Sequence, residues 1–558
     1  MLETAGQALA VGDLGRAERG YRDALAIDPR SSDALNGLGI VFTRAGRFDA
    51  GIEAFRRSLL ATPQWVTGWS NLGRALRLRG WDDEAEAACR GAYMLQPSDD
   101  ARCRFARQLL RLRRPERALI EAGAVLDGVT PGGAAPGDMA RFEALQIQAD
   151  ALADLYRPDD ALAACRTAVS MRPNQAPARR TLGMLLAEVG AFPDARDAFQ
   201  ACLRVAPSDT AAHYRLSLIT RYRQDDPGTL FHLRQMAALE KFGTLGNGEQ
   251  AWLLNFALAK AYDDLGVPAR AFPFLEKANR LKRAALAYDV EADIAYMERI
   301  KRAYPGAAPE RPGGLPAPPI FIIGMARSGS TLIAEILARH PMVTARGETP
   351  YFRKALNRRA AGIGAPGFFP ETSAGFTDAD WQAVSEMYLA TARAGADGRI
   401  IDKLPYNFIH LPALRRAFLD ATIIHSRRDP MDTCFSIYQN SFAEGHFHAY
   451  DQVELGRYYR AYANFMTHWQ DERSCRVVEA RYEDLVAAPE TETRRLIAAC
   501  GLPWEDACLT PGRSPRAIRT LSQHQVRQAV YGTSVGRWRP YEAALRPLLE
   551  TLGDQRAL

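Results

Sequence analysis

The 558-residue chain contains no apolar run of 18 residues, and its mean hydropathy is −0.24. A membrane-spanning helix needs about 20 consecutive apolar residues, so we expect no membrane span. The start, Met1-Leu2-Glu3-Thr4, has no basic segment followed by an apolar one, and we therefore expect a cytoplasmic protein without a secretory signal. The eight cysteines form no C-x-x-C pair, which disfavours zinc sites and a disulfide scaffold and predicts reduced thiols.

An excess of charge of one sign is also missing. The 71 basic and 65 acidic residues give a net charge of +6, which is too small to predict nucleic-acid binding. This balance still allows a local basic pocket for an anion. The hydrophobic share of 47% and the length predict a folded chain of several domains.

The first half of the sequence is periodic. Prolines recur at a spacing of 34 residues, at Pro29, Pro63, Pro97 and Pro131, and again at Pro173 and Pro207. Between them, small residues such as Gly39 and Gly73 hold equivalent positions, and large ones such as Phe55 and Phe199 hold others. This period predicts a helix-turn-helix unit in which proline ends the second helix, and it resembles the tetratricopeptide repeat.

The change of pattern along the chain predicts its domains. The repeats predict a helical domain over residues 1–302, with degenerate copies near 98–140 and 210–285. A segment rich in Pro, Gly and Ala predicts a linker at 303–318, followed by a domain at 319–558 in which short apolar strands alternate with helices. The expected fold is therefore multidomain: an all-α tetratricopeptide-repeat solenoid, then an α/β P-loop-like domain with a mainly parallel sheet.

The segment between the first strand and its helix has the spacing of a phosphate-binding loop. Gly324 and Gly329 frame this loop, and Ser330 stands where G-x-x-x-x-G-K-[ST] has lysine. Inward backbone amides and a helix N-terminus favour an anion, whereas an ordinary glycine-rich turn is the alternative. The missing lysine disfavours nucleoside triphosphate hydrolysis and leaves Arg327 as the cation of the loop.

Three motifs of the second half resemble sulfotransferases that use 3′-phosphoadenosine 5′-phosphosulfate (PAPS). The first resembles their 5′-phosphosulfate loop, and its members are Arg327, Ser328, Gly329, Ser330 and Thr331. The second, Arg428 with Ser436 eight residues later, resembles the 3′-phosphate motif. The third, with Ser534, Arg537 and Trp538, resembles the C-terminal segment that closes over the nucleotide. The resemblance implies that these residues bind PAPS as co-substrate and that no metal takes part.

Two further motifs resemble the tyrosylprotein sulfotransferase group. These are Arg346-Gly347-Glu348-Thr349, whose spacing is one residue tighter than in that group, and Asp402-Lys403-Leu404-Pro405. The resemblance implies that Glu348 is the base that takes the acceptor's proton, and that Lys403 and Arg327 are cations facing the leaving group. The structural alternatives are a loop carboxylate for Glu348, a surface lysine for Lys403 and a core position for Trp538.

These motifs together predict a bacterial tetratricopeptide-repeat sulfotransferase that acts on a protein or peptide tyrosine by in-line displacement. A carbohydrate or lipid hydroxyl is the alternative acceptor, and a non-catalytic repeat scaffold with a nucleotide-binding domain is the alternative class. The repeats are expected to hold the acceptor protein, with a packing platform or a homodimer as the other readings. His446 and His448 lack an evident third metal ligand, so an exposed loop is expected there, and His425 is set aside as a base.

Overall fold

The computed structural model describes residues 1–129, 137–242, 245–246, 248–305, 317–364, 369–395, 398–443, 445–470, 477–513, 517–520, 523–527 and 534–553. By its internal contacts the chain divides into two compact units, Met1–Leu185 and Leu186–Leu558. The predicted linker falls largely on residues 306–316, which lie outside the described residues, as does Pro131.

The first unit is built from successive antiparallel helices. They are α1 Leu2–Ala10, α2 Leu14–Ile27, α3 Ser32–Arg44, α4 Phe48–Ala61, α5 Val66–Arg79, α6 Asp82–Leu95, α7 Asp99–Arg111, α8 Pro115–Leu126, α9 Asp138–Asp154, α10 Pro158–Met171 and α11 Ala176–Glu188, the last of which continues into the second unit. Helices α2, α4, α6 and α10 each end two residues before one of the periodic prolines, as the repeat predicts.

Close helix contacts confirm the role of the small residues. A Cβ atom on Gly39 would lie 2.5 Å from the ring of Phe55, and one on Gly73 would lie 2.6 Å from the sulfur of Cys89. Phe55 itself is buried between neighbouring helices. The helix pair at α7 and α8 also persists where the repeat pattern is weak.

The second unit begins with further helices. They are α12 Phe192–Val205, α13 Thr210–Leu218, α14 Pro227–Lys241, α15 Glu249–Asp264, α16 Pro268–Ala284 and α17 Val290–Ala303. Their apolar residues Phe256 and Ile300 share one buried cluster with Phe321 and Ile323 of the first strand. These helices therefore cover one face of the sheet.

The sheet is parallel and has the order β2-β3-β1-β4-β5. Its strands are β1 Ile320–Gly324, β2 Val343–Ala345, β3 Arg399–Lys403, β4 Thr422–Arg427 and β5 Val477–Arg481. The central strand β1 is buried throughout, with Phe321 and Ile323 on one face and Ile320 and Ile322 in a second cluster on the other. An apolar run is what a parallel strand covered on both faces requires.

Further helices lie between the strands along the chain or follow β5, and they cover both faces of the sheet. They are α18 Ser330–Ala338, α19 Tyr351–Gly362, α20 Glu371–Ala374, α21 Asp378–Ala392, α22 Leu411–Ala417, α23 Pro430–Tyr438, α24 Gln452–Gln470, α25 Tyr482–Ala487, α26 Pro489–Ala499, α27 Gln523–Val526 and α28 Arg546–Leu552, with short 3₁₀ helices at Pro405–His410, Phe447–Tyr450, Asp506–Leu509, Pro511–Arg513 and Arg539–Tyr541. The predicted class, a repeat solenoid followed by an α/β domain with a parallel sheet, is confirmed.

Candidate functional site

The loop between β1 and α18 depends on its two glycines. Gly324 has a φ of 143°, and a Cβ atom there would lie 2.5 Å from the carbonyl oxygen of Ser426. Gly329 has a φ of 101°, and a Cβ atom there would lie 2.9 Å from the ring of Tyr482. Both glycines precede α18, whose first turn has no side-chain cap within the described ranges. The strand, loop and helix thus present backbone N–H groups at a helix N-terminus, where an anion is favoured.

The serines of this loop are buried. The hydroxyl of Ser328 donates to the carbonyl of Met325 at 2.7 Å, and the hydroxyl of Ser426 on β4 donates to the carbonyl of Ser328 at 3.1 Å. Ser328 therefore braces the loop against the neighbouring strand. Ser330 and Thr331, which the sequence predicts as phosphate ligands, are buried at the start of α18.

Arg327 lies at the centre of the predicted donor site. Its backbone has a φ of 65°, a left-handed conformation that is uncommon for a residue with a side chain. Its Nε donates to the hydroxyl of Ser436 at 3.0 Å, and its Nη2 donates to the amide oxygen of Gln525 at 2.8 Å. Arg428 donates from Nη1 to the carbonyl of Arg327 at 3.3 Å. The two predicted phosphate motifs therefore meet at Arg327.

The guanidinium of Arg428 contacts several neighbours but keeps one unused donor. Its side chain is only 8% exposed, its Cζ lies 4.9 Å from the ring centre of Tyr482, and its Nη2 donates to the carbonyl of Ser534. Its Nε is buried and has no hydrogen-bond partner among the described residues. A buried N–H without an acceptor is costly, which suits a position that receives a ligand oxygen.

A cavity of about 310 Å³ opens beside Arg428. Its walls come from the ends of β4 and β5, the start of α23 and the C-terminal segment. The lining residues are Arg427, Arg428, Asp429, Pro430, Asp432, Arg481, Glu483, Val535, Gly536, Trp538 and Arg539. All three acidic side chains in this wall accept backbone N–H groups, Asp429 from Asp432 and Glu483 from Asp429 at 2.8 Å, and Asp432 from Gly536 at 2.6 Å. The arginines supply the positive charge of the cavity wall.

The C-terminal segment 534–541 crosses this region and is anchored at several points. The amide of Gly536 donates to Oδ2 of Asp432 at 2.6 Å. Burial raises the pKa of Asp432, while the hydrogen bond from Gly536 opposes that rise. Arg537 forms an ion pair with Asp263 of α15, and half-buried Trp538 lines the cavity. Of the three residues predicted here, Trp538 therefore faces the cavity, Arg537 turns to α15, and Ser534 contributes its carbonyl to Arg428.

Glu348 and Lys403 come together at the carboxyl edge of the sheet. Glu348 follows β2 and Lys403 ends β3, which pairs with β1 so that Lys403 lies opposite Ile322. The Lys403 ammonium forms an ion pair with Oε1 of Glu348. The lysine side chain is 4% exposed and the glutamate 41%, so the carboxylate faces solvent over a buried cation. The Nε of Arg346 instead donates to the carbonyl of Ala392, the last residue of α21, at 2.6 Å.

Comparison with known families matches two models to separate parts of the chain. Residues 318–506 match the model of the Sulfotransferase family, and residues 5–65, 44–101 and 147–210 match the tetratricopeptide repeat. The chain is 33% identical over 311 residues to an uncharacterized protein of Aquifex aeolicus (strain VF5), and this match covers 54% of the chain and 41% of that protein. The chain thus spans less than half the length of this relative.

Solved structures resemble each part of the chain. The sulfotransferase domain of the Synechococcus PCC 7002 olefin synthase is 19% identical, with a TM-score of 0.31, and the match covers 42% of this chain and 90% of that chain. A tetratricopeptide repeat protein of Parabacteroides merdae is 13% identical, with a TM-score of 0.34, and the match covers 47% of this chain and 96% of that chain.

The histidines in the segment that matches the Sulfotransferase model have structural positions. His425 is buried on β4, its Nε2 lies 2.5 Å from the hydroxyl of Tyr462, and burial lowers its pKa to about 3. The expectation of an exposed loop is wrong at His448, which is buried with its ring centre 3.6 Å from that of Tyr458, whereas His446 is half-buried. Across the described ranges, no three His, Cys, Asp or Glu side chains are grouped as metal ligands, and no helix there is long and apolar enough to cross a membrane.

Several residues of the site have no motif that would have pointed to them. Gln525 accepts from Arg327, Asp432 holds the C-terminal segment, and Arg481 and Arg539 line the cavity. Single charged or amide residues on different elements carry no local periodic signal. A weak hint for Arg481 is its position directly before Tyr482-Glu483-Asp484, at a strand end.

Proposed function

We propose that the chain transfers the sulfuryl group of PAPS to an acceptor hydroxyl by in-line displacement. The observation that carries this proposal is the meeting of Arg327, Arg428 and Ser436 at a phosphate-type loop, with the buried Nε of Arg428 lacking a partner among the described residues. An arginine fork with a free N–H suits a phosphate oxygen, because charge-assisted hydrogen bonds to phosphate are strong and directional.

The residues present fit such a donor. PAPS, when bound, supplies the sulfuryl group and a nucleoside bisphosphate leaving group. The loop amides with Ser330 and Thr331 would hold the 5′ end, while Arg428 and Ser436 would hold the 3′-phosphate. The cavity of about 310 Å³ with Trp538 in its wall offers room and an aromatic side for the nucleoside. This assignment keeps Ser328 as a brace of the loop and Ser534 as a support of Arg428, each through the contact described above.

The Glu348–Lys403 pair supports the catalytic part of the proposal. An exposed carboxylate can accept the proton of an acceptor hydroxyl, and a nearby cation stabilises negative charge that develops on the leaving group. The buried position of Lys403 limits its motion and keeps its charge at the edge of the sheet next to β1. The proposal requires Lys403 to shift part of its interaction from Glu348 to the donor when both substrates are present. Arg327 is the second cation proposed to face the leaving group.

The acceptor that we propose is a protein or peptide tyrosine. Support comes from the likeness of the segments around Glu348 and Lys403 to tyrosylprotein sulfotransferases, and from the presence of repeats, which commonly mediate protein interactions. In this proposal residues 1–302 recruit the acceptor and residues 319–558 carry out transfer, in the cytoplasm. The alternative role of residues 1–302 is to form a homodimer through the repeats.

Transfer of labelled sulfate from PAPS to tyrosine peptides tests the proposal directly. Phenylalanine peptides of the same sequence control for non-specific labelling, and glycan and lipid hydroxyls test the alternative acceptors. We expect label on the tyrosine peptide alone. Absence of transfer to every acceptor, together with absence of nucleotide binding, would contradict the proposed function.

A further inference from the structure

The C-terminal segment 534–541 contacts both the cavity wall and the helices that precede the sheet. Val535, Gly536 and Trp538 line the cavity, yet the segment is not itself a helix or strand over these three residues. A short irregular segment has few contacts of its own to fix it, so its position depends on the groups that hold it. Those groups decide how well the cavity wall is formed.

One anchor comes from the cavity side. The amide of Gly536 donates to Oδ2 of Asp432 at 2.6 Å, and Asp432 is buried at the start of α23. The carbonyl of Ser534 accepts from Nη2 of Arg428 in the same region. These contacts fix only the first part of the segment.

The second anchor comes from α15, more than 270 residues away in sequence. Oδ2 of Asp263 pairs with the guanidinium of Arg537, and Oδ1 of Asp263 accepts from the hydroxyl of Tyr541 at 2.6 Å. The Asp263 side chain is only 12% exposed, and the ring of Tyr541 is buried against Phe435 at 4.8 Å. A single carboxylate therefore binds two residues on either side of Trp538.

We infer that Asp263 is a positioning residue for the donor site, holding Arg537 and Tyr541 so that Trp538 and Gly536 close the wall of the arginine-lined cavity. The inference rests on the proposed function for its ligand, a nucleoside 3′,5′-bisphosphate. It gives α15, part of the helical region, a defined task in nucleotide binding. It also gives Arg537 a role that acts through Asp263 and the segment, without contact to the nucleotide.

Asp263→Asn tests this inference with little change of shape, because asparagine keeps an acceptor for Tyr541 and loses the charge that holds Arg537. The matched control is Glu454→Gln, which removes the charge that pairs with Arg283 between α16 and α24 and does not touch the segment. We expect Asp263→Asn to weaken binding of adenosine 3′,5′-bisphosphate by about fivefold to tenfold, mainly through faster dissociation, and Glu454→Gln to leave it within about twofold. Equal affinity in Asp263→Asn and the unchanged protein, or equal losses in both variants, would overturn the inference.

Arg537→Ala, made alone and in the Asp263→Asn background, separates positioning from direct contact. If Arg537 acts through Asp263, the double variant binds the bisphosphate as the single variants do. A further loss of about tenfold in the double variant would show that Arg537 touches the nucleotide and would refute its indirect role.

Amide hydrogen exchange in the nucleotide-free protein tests the clamp, meaning the hold of Asp263 on Arg537 and Tyr541, independently of the proposed function. Residues 534–541 should exchange faster in Asp263→Asn than in the unchanged protein, with no such change in Glu454→Gln. Unchanged exchange in Asp263→Asn would refute the clamp. If the unchanged protein binds no bisphosphate while the exchange result holds, the proposed ligand is wrong and the clamp of the segment stands.

Discussion

Replacing Arg428 by glutamine is the most informative perturbation of the donor site. The guanidinium is 8% exposed, and its Nε is a buried donor without a partner among the described residues. A hydrogen bond from a buried charged group contributes about 1.5–3 kcal/mol, which corresponds to a factor of about 10 to 150 in affinity. Since glutamine keeps one N–H₂ group but loses the charge and the fork, we expect bisphosphate affinity to fall by about 10- to 100-fold.

The assay is calorimetric titration with two nucleotides that differ at the 3′ position. Adenosine 3′,5′-bisphosphate should show the loss, whereas adenosine 5′-phosphosulfate, which has no 3′-phosphate, should lose no more than about threefold. Arg494→Gln is the control for net charge, because Arg494 lies on α26, where it pairs with Glu490 and stacks on Trp504. Equal losses for both nucleotides in Arg428→Gln would refute the assignment of Arg428 to the 3′-phosphate.

Three other changes test the catalytic pair, the repeat packing and a buried carboxyl. Glu348→Gln should lower transfer by at least about 100-fold and leave bisphosphate binding unchanged, and retained turnover would remove Glu348 as the base. Gly39→Ala should destabilise the protein by about 1–3 kcal/mol in urea unfolding, because its Cβ would meet the ring of Phe55. The control Gly123→Ala on α8, with open space around it, should be neutral or stabilising. Equal effects of the two substitutions would contradict the packing of Gly39 against Phe55. Burial raises the pKa of Asp402 to about 7, so the folded state binds its proton more tightly than the unfolded state and the unfolding free energy falls as pH rises from about 4 to 7. Asp402→Asn should reduce that fall between about pH 4 and 7, and the same pH dependence in both proteins would contradict it.

Sequence reasoning was strongest where the signal is periodic or local. The prediction of short apolar strands within residues 319–558 agrees with β1, β4 and β5, because a buried parallel strand needs continuous apolar residues. The proline period predicted the ends of the repeat helices, because proline interrupts a helix. The short β2 and the charged β3 escaped prediction, since Arg399 and Asp402 break the apolar pattern of β3. In the fold, Arg399 donates to the carbonyl of Pro318 at 2.7 Å and Asp402 accepts from Tyr388 at 3.2 Å, so tertiary partners satisfy these groups.

The candidate site was predictable in part. The loop glycines, Arg428 and Ser436 were visible as motifs, and the structure brings the last two to Arg327. The partners that come from distant elements were not visible. Asp263 shows why, because its contact with Arg537 depends on how α15 packs against the sheet, and no spacing in the sequence records that. The repeat-like pattern of α15 and α16 likewise gave no sign that these helices share a core with β1.

Titration of the purified protein with adenosine 3′,5′-bisphosphate, with AMP and magnesium ATP as references, tests the central claim most directly. The donor site proposed here predicts that the bisphosphate binds at least about tenfold more tightly than AMP, and more tightly than magnesium ATP, because only the bisphosphate engages both the loop and Arg428. Equal affinity for AMP and the bisphosphate, or a preference for magnesium ATP, would contradict the proposed sulfotransferase activity.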